Sequence, residues 1–434
     1  WIELNLTDCI IISGCKIKTY SMFSQVFSGR KAQKRGGFRI RAGKIHNEKI
    51  KIIGKQTFFR PFCLVGGWYM PTFVGGHHYI VIQDPMGFDD IDISENELLR
   101  RYPQVLEALL LDHTTHRPIF WATAHYAQLG VGYQWHDSIT PERITGEHGR
   151  VIQPRVLKSR EQQLDRTKQM AEVFTPAWVC NAQNNLVDEA WFGRPDVFNC
   201  SDERTHSWET TSERIIFPKG KTWQDYVRST RLEITCGEGP YLVSRYDSVT
   251  GEFIPLGQRI GLLDRKLRVV AENTLSSPTN RSPAQQATEY KAWRTWALEA
   301  YRHTLGYEWQ GDSLLLARES LLETFIEHQF FPDVALHAQT LLSVAYVIAW
   351  NLWQMDGLKG VVPGSCHATT HSELDLFAPD PTATTAPCPG CASGNPHLHN
   401  GIYCLLRDWG KRDPITHKNH RKIRFVDLLR PTLS

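Results

Sequence analysis

Apolar positions recur at helical spacing through most of the chain beyond residue 94, and the few short apolar runs end on glycine or on an acid. In SENELLRRYPQVLEALL, Ser94 stands as an N-cap with Glu97 three residues later, and apolar residues follow at helical intervals, which predicts a helix. The segment 112–123 and the stretch up to Pro154 are expected to complete a helical amino-terminal region. A polar helix is predicted over 162–170. Val179, Ala182, Leu186 and Ala190 then mark one face of the next helix, read as core packing. Ile260, Leu263, Leu267 and Val270 predict another, and LSSPTNRSPAQQ reads as an exposed loop. Trp293, Trp296, Ala297 and Ala300 form an aromatic helical face, for which burial is the simpler reading than base stacking. Leu314, Ala317, Leu321 and Phe325 predict a further amphipathic helix.

Three places read as strand ends. Residues 231–236 form a short buried strand that runs into Gly237-Glu238-Gly239. Glycines at the carboxyl end of a strand let the backbone turn sharply and approach a ligand where a Cβ would collide. Gly306-Tyr307-Glu308 closes a second strand just before a helix. An acid there is where a nucleotide-binding fold accepts hydrogen bonds from ribose hydroxyls, so Glu308 is a candidate ligand-binding residue. The alternative is a solvated glutamate favoured by the helix dipole. Residues 351–355 look like a third strand, and Asp356 follows where an adenine amine could donate to a carboxylate. A plain Asp-Gly turn at Asp356-Gly357 is the alternative.

Composition sets looser limits. A chain of 434 residues, 41% hydrophobic and 22% charged, is long enough for roughly two or three domains. The net charge of +3 neither supports nor excludes nucleic acid. Ten cysteines without a secretory signal point to a reducing compartment, and the longest apolar stretch, 341–353, is interrupted by Ser343 and Asn351 and too short for a bilayer. The expectation is a cytoplasmic protein with no membrane partner. Residues 30–60 are strongly basic with Glu48 alone opposing. They read either as an arm along phosphates or as upstream sequence outside the fold. The second reading is preferred, because the chain begins without Met and Met86 sits just before the well-patterned part.

Taken in order, AEVFTPAWVCN, LEITCGEGPYL, LGYEWQGDSLLLARESLL and NLWQMDGL resemble the amino-terminal-motif class of DNA adenine-N6 methyltransferases from bacterial restriction-modification systems, the restriction endonuclease subunit M type. LLLDHTTHRPIFWAT upstream resembles a segment found before these motifs, and the similarity runs over 94–429. The resemblance implies an α/β, Rossmann-like S-adenosylmethionine-dependent methyltransferase fold, incomplete at the C-terminus, with a helical N-terminal region. Together with the charge pattern and the Cys/His spacing it divides the chain into a basic, poorly patterned segment 1–90, a helical region 91–170, a cofactor-binding core 171–362 with an insertion at 247–289, and a Cys/His-rich candidate zinc loop with C-terminal strands at 363–434. It assigns cofactor binding to Phe174, Thr175 and Pro176, to Glu233, Thr235, Cys236, Gly237 and Gly239 of the first motif, and to Glu308 and Asp356.

Two departures matter. Ile234 and Thr235 replace the usual Pro-Ala, and no [DNS]-P-P-[YFW] tetrapeptide occurs in the 434 residues. That tetrapeptide is the part that grips a base flipped from the duplex. The nearest string, Gly394-Asn395-Pro396-His397, is a poor substitute. The expected function is therefore methylation of adenine in double-stranded DNA, with this chain carrying the cofactor half. A second chain or further C-terminal portion would supply the catalytic motif, and a restriction endonuclease is an additional expected partner. The alternatives are a non-catalytic cofactor-binding or specificity subunit and, from another class, a zinc-containing DNA-binding module.

The second constellation is Cys388-Pro-Gly-Cys391 followed by His397, His399 and Cys404. Two cysteines separated by two residues can hold one tetrahedral ion. Cys388, Cys391, His399 and Cys404 are the candidate ligands of a structural zinc, with Cys366, His367 and His371 competing and free thiols as the alternative. The basic stretch 411–424 reads as a solvated face that could touch phosphate.

Overall fold

A computed structural model describes residues 71–74, 77–80, 94–170, 175–276, 282–329, 337–372, 383–412 and 419–429. The basic segment 30–60, Met86, Phe174, residues 277–281 of the expected loop and 413–418 of the basic C-terminal stretch lie outside the described residues. Ser94 caps α1 (Glu95–Arg101), its side chain accepting from Glu97 N. Tyr102 then separates this helix from α2 (Pro103–Leu110), which begins on its proline. Such a start loses nothing, since the first helical N–H has no partner within the helix.

The helical reading of 112–154 does not hold. Leu111–Asp112 and Arg117–Pro118 pair as an antiparallel hairpin, and the rest is turns and single helical turns such as Pro141–Ile144. Asp112 is the cause: its carboxylate takes the amides of Thr114 and Thr115 at 3.3 and 2.9 Å and the Thr115 hydroxyl at 2.6 Å. A short acceptor side chain that captures nearby amides offers the backbone an alternative to the helix.

After α3 (Arg160–Met170) comes α4 (Ala177–Phe192), whose first amide, Ala177 N, donates to the Asp247 carboxylate at 2.7 Å. The face expected to be buried on α4 is the wrong one, since Leu186 is 61% exposed. The buried face carries Cys180, Asn181, Asn184, Val187, Asp188 and Trp191. Its polar members are satisfied by bonds a hydrophobicity pattern does not register. Asn184 donates to the Tyr241 and Ile260 carbonyls, and Asp188 takes Arg265 at 2.7 Å and the Tyr226 hydroxyl at 2.9 Å. Tyr226 lies on α5 (Trp223–Arg228).

The three expected strands form one parallel sheet. β1 (Arg231–Ile234), β2 (Thr304–Glu308) and β3 (Leu352–Gln354) lie side by side in sequence order, with Glu233 opposite Gly306 and Tyr307 opposite Trp353. Parallel neighbours need crossovers, usually helical. α6 (Leu262–Thr274) and α7 (Pro283–Arg302) join β1 to β2; α8 (Gly311–Glu327) and α9 (Ala338–Asn351) join β2 to β3. A doubly wound sheet combines two such three-stranded units. Among the described residues there is one.

Strand alternation divides the two faces. Leu352 joins the large helical core with Leu314, Ala317, Leu321, Phe325, Trp293 and Ala297, each almost wholly buried. Burying one such large apolar side chain contributes about 1.5–3 kcal/mol. On the opposite face Leu232, Tyr307 and Trp353 pack with Val362, Cys404, Leu406 and Phe425. Val362 and Cys404 of the preceding segment, the antiparallel hairpin β4 (Leu405–Arg412) and β5 (Asn419–Arg424), and the turn that follows it supply that second layer.

Buried charges fix the helices. Arg318 of α8 is fully buried and donates to Leu109 and Leu111 at the end of α2, and to Ala349 and Leu352 at the end of α9. Carbonyls at a helix C-terminus lack intrahelical donors and carry the negative end of the dipole, so one guanidinium serves two helices. Among the described residues no helix is long and apolar enough to cross a membrane.

Candidate functional site

The carboxyl ends of β1 and β2 meet directly. β1 leaves the sheet through Thr235 (φ 45°), Gly237 (φ 54°) and Gly239 (φ 78°). Left-handed backbone suits the glycines but is an outlier for a β-branched threonine, at a cost of about 1–3 kcal/mol. A Cβ on Gly237 would meet nothing within 4 Å, whereas one on Gly239 would touch Ala317 of α8 at 3.6 Å. Gly239 thus packs against the helix, and Gly237 faces open space.

Glu308, the last residue of β2, holds this turn. One carboxylate oxygen accepts the Gly237 amide at 2.9 Å, and the other accepts Trp309 N and Gln310 N at 2.8 and 3.2 Å. Its main-chain oxygen receives Met355 N at 2.9 Å, which ties it to the end of β3. Glu233 lies beneath the turn, fully buried, and accepts Tyr241 N and Leu242 N at 3.4 and 3.2 Å. Burial pushes its carboxyl well above the usual range; the two amides oppose this, and the Glu308 charge adds to it. Burial likewise raises the Cys236 thiol, which makes it a packing group and not a nucleophile.

Asp356 follows β3 and is almost wholly buried, and each of its carboxylate oxygens has a partner within the chain. It takes Leu358 N at 3.1 Å and pairs with the Lys359 ammonium at 3.1 Å. Thr175 is buried, and its carbonyl accepts the Ser248 hydroxyl at 2.9 Å. Pro176 opens α4, which packs through Cys180 on Tyr241, just beyond the glycine turn. Glu238, between the two glycines, reaches away from the turn to Arg155 N at 2.7 Å and the Tyr246 hydroxyl at 2.9 Å. A cavity lined by Phe198, Arg259, Arg265, Arg268 and His328 lies elsewhere, and each of its arginines is paired with Glu327, Asp188 or Glu272.

The cysteine-rich segment gathers a different set of four from the one expected. Cys366, Cys388, Cys391 and His399 bring their ligand atoms within 4.8 Å of one another. Cys404 is not among them: it is buried under the sheet, its thiol donating to the Gln354 carbonyl at 3.4 Å. Cys366 takes its place because Thr369–Ser372 and Ala383–Ala386 pair antiparallel, with Thr369 opposite Ala386, which closes the chain so that Cys366 and Cys388 stand at the open end of one hairpin. Nothing in the local sequence announces that register. Compared with protein-family models, with curated proteins and with solved structures, the chain matches none.

Proposed function

We propose that the chain binds S-adenosylmethionine over the Gly237 turn and serves as the cofactor-binding chain of a DNA adenine-N6 methyltransferase of the restriction-modification type. One observation carries the reading: a glycine turn open to solvent and a buried glutamate meet at the ends of adjacent parallel strands, with the Glu308 carboxylate 2.9 Å from the Gly237 amide. The crevice outside the carboxyl ends of such strands is where open α/β sheets bind ligands.

The donor set fits an adenosyl group. The Gly237, Trp309 and Gln310 amides fix the Glu308 carboxylate at the end of β2, where a ribose hydroxyl would share its oxygens. Asp356 keeps acceptor capacity beside Leu358 N and Lys359 for an exocyclic amine. When bound, the cofactor supplies an electrophilic methyl on sulfonium sulfur. The chain's own contribution is to orient the donor, which removes rotational freedom from the transfer. With no [DNS]-P-P-[YFW] tetrapeptide in the sequence, no residue is assigned to hold the target base. The same absence favours a second reading, a cofactor-binding subunit without catalysis.

Calorimetry of the full chain with S-adenosylmethionine tests the reading. Binding is expected; Gly237→Val should abolish it, and Glu308→Ala should weaken it about 10–100-fold, the loss of a hydrogen bond to a charged group. No heat at millimolar ligand with folded protein would overturn the proposal. Methyl transfer to adenine-containing duplex, with and without a partner chain, then separates the catalytic from the non-catalytic reading.

A further inference from the structure

Three sulfurs surround one ring nitrogen in the segment after β3. His399 Nδ1 lies 3.5 Å from Cys366 Sγ, 3.6 Å from Cys388 Sγ and 3.7 Å from Cys391 Sγ. Zinc bonds of about 2.3 Å to sulfur and about 2.0–2.1 Å to nitrogen, set at tetrahedral angles, give nitrogen-to-sulfur edges of about 3.5–3.6 Å. The three observed separations are close to the edges that meet at the nitrogen corner of such a tetrahedron. Neutral thiols with no ion between them have no reason to converge on one nitrogen in this way, since each is a weak hydrogen-bond donor and the ring nitrogen can accept only one.

The local fold is built to hold that shape. The hairpin Thr369–Ser372/Ala383–Ala386 brings Cys366 to Cys388. Cys388 is the N-cap of α10 (Pro389–Ser393), so Cys391 returns to the same side within one helical turn. Gly394 (φ 69°) ends the helix, and Asn395 receives the His397 amide at 2.9 Å to turn the chain back toward His399. The approach is tight: a Cβ on Gly390 would fall 2.5 Å from His399 Nδ1. The Asn400 amide donates to Cys388 Sγ at 3.3 Å, the kind of outer bond that stabilises a thiolate. Three thiolates and one neutral imidazole around a dication carry a net charge of −1.

We infer that Cys366, Cys388, Cys391 and His399 bind one zinc ion in a closed tetrahedral site, a structural centre that clamps the segment following Asp356 to the hairpin base. All four positions are taken by protein, which leaves no open position for substrate and makes the role structural. This inference stands apart from the cofactor reading: zinc content and cofactor binding are separate measurements, and either can fail alone.

The test is elemental analysis of the full chain purified without chelator, followed by zinc K-edge absorption on the same unmodified protein. About one zinc per chain, with a first shell of three sulfurs and one nitrogen, is expected. A content far below one, a shell of two sulfurs and two nitrogens, or a disulfide revealed by thiols that resist alkylation until reduced would each overturn the assignment. Cys366→Ser should lower zinc content several-fold and speed its release to a chromogenic chelator, while Cys404→Ser should leave both unchanged. The reverse pattern would return Cys404 to the ligand set.

Discussion

A single carboxyl group shows how far burial can outweigh local electrostatics. Glu95 sits in the first turn of α1, where the helix dipole favours its charge by about 0.3–1 kcal/mol, yet it is only 2% exposed and burial pushes its carboxyl up to about 8. With the unfolded value near 4.5, the folded state holds an extra proton between the two values. Stability contributed by this group is therefore full at acid pH and lost as pH rises through that window. Glu95→Gln removes the titration. Denaturant unfolding should show the variant about equal to the parent near pH 4 and more stable near pH 9, by up to a few kcal/mol. An equal difference at both pH values would show that Glu95 is not held protonated. The same competition acts on Glu233 beneath the glycine turn, where two amides only partly offset burial.

Elements are joined by buried ions as much as by apolar packing. Arg166 of α3 reaches the start of α8, where it meets the Asp312 carboxylate at 2.7 Å beside the Tyr126 hydroxyl, also at 2.7 Å. Burial alone would raise the Asp312 carboxyl; Arg166, with Lys158 and Tyr126, holds it below the usual range. Arg166→Met should cost about 3–5 kcal/mol by leaving a buried carboxylate without its closest cation. Adding Asp312→Leu should recover much of that loss, and a double-mutant cycle in urea measures the coupling. Such ties explain which parts of the fold could be read in advance. The helices α6, α7 and α8 and the strand ends at Gly237 and Glu308 were legible because their apolar periodicity and punctuation coincide with their burial. The orientation of α4 was not, because Asn181, Asn184 and Asp188 turn inward to partners far along the chain. The hairpin in place of helix after α2 turned on one aspartate, and Cys366 in place of Cys404 turned on a strand register.

On the scale of the molecule, the sheet has two unequal coats. The helical coat carries most of the apolar core, and the coat on the other face rests on a smaller cluster around Tyr307, Trp353 and Phe425. The Cys/His hairpin adjoins that smaller coat: Val361 bridges both Asp356 and Tyr403, and Cys404 N donates to the Gly360 carbonyl at 3.1 Å. A structural zinc contributes on the order of 10 kcal/mol to local folding. Chelation should then raise hydrogen exchange across 361–404 while amides of α6 to α9 stay protected; uniform loss of protection in both regions would contradict this division. Because the middle strand ends in Glu308, one side chain grips the bend after its first neighbour, the amides opening α8 and, through its own peptide, the third strand. The proton on Gly237 nitrogen is consequently a built-in gauge. Any guest that shares the Glu308 oxygens must alter the strength of that one bond, so the Gly237 amide resonance should shift on loading before any larger rearrangement becomes visible.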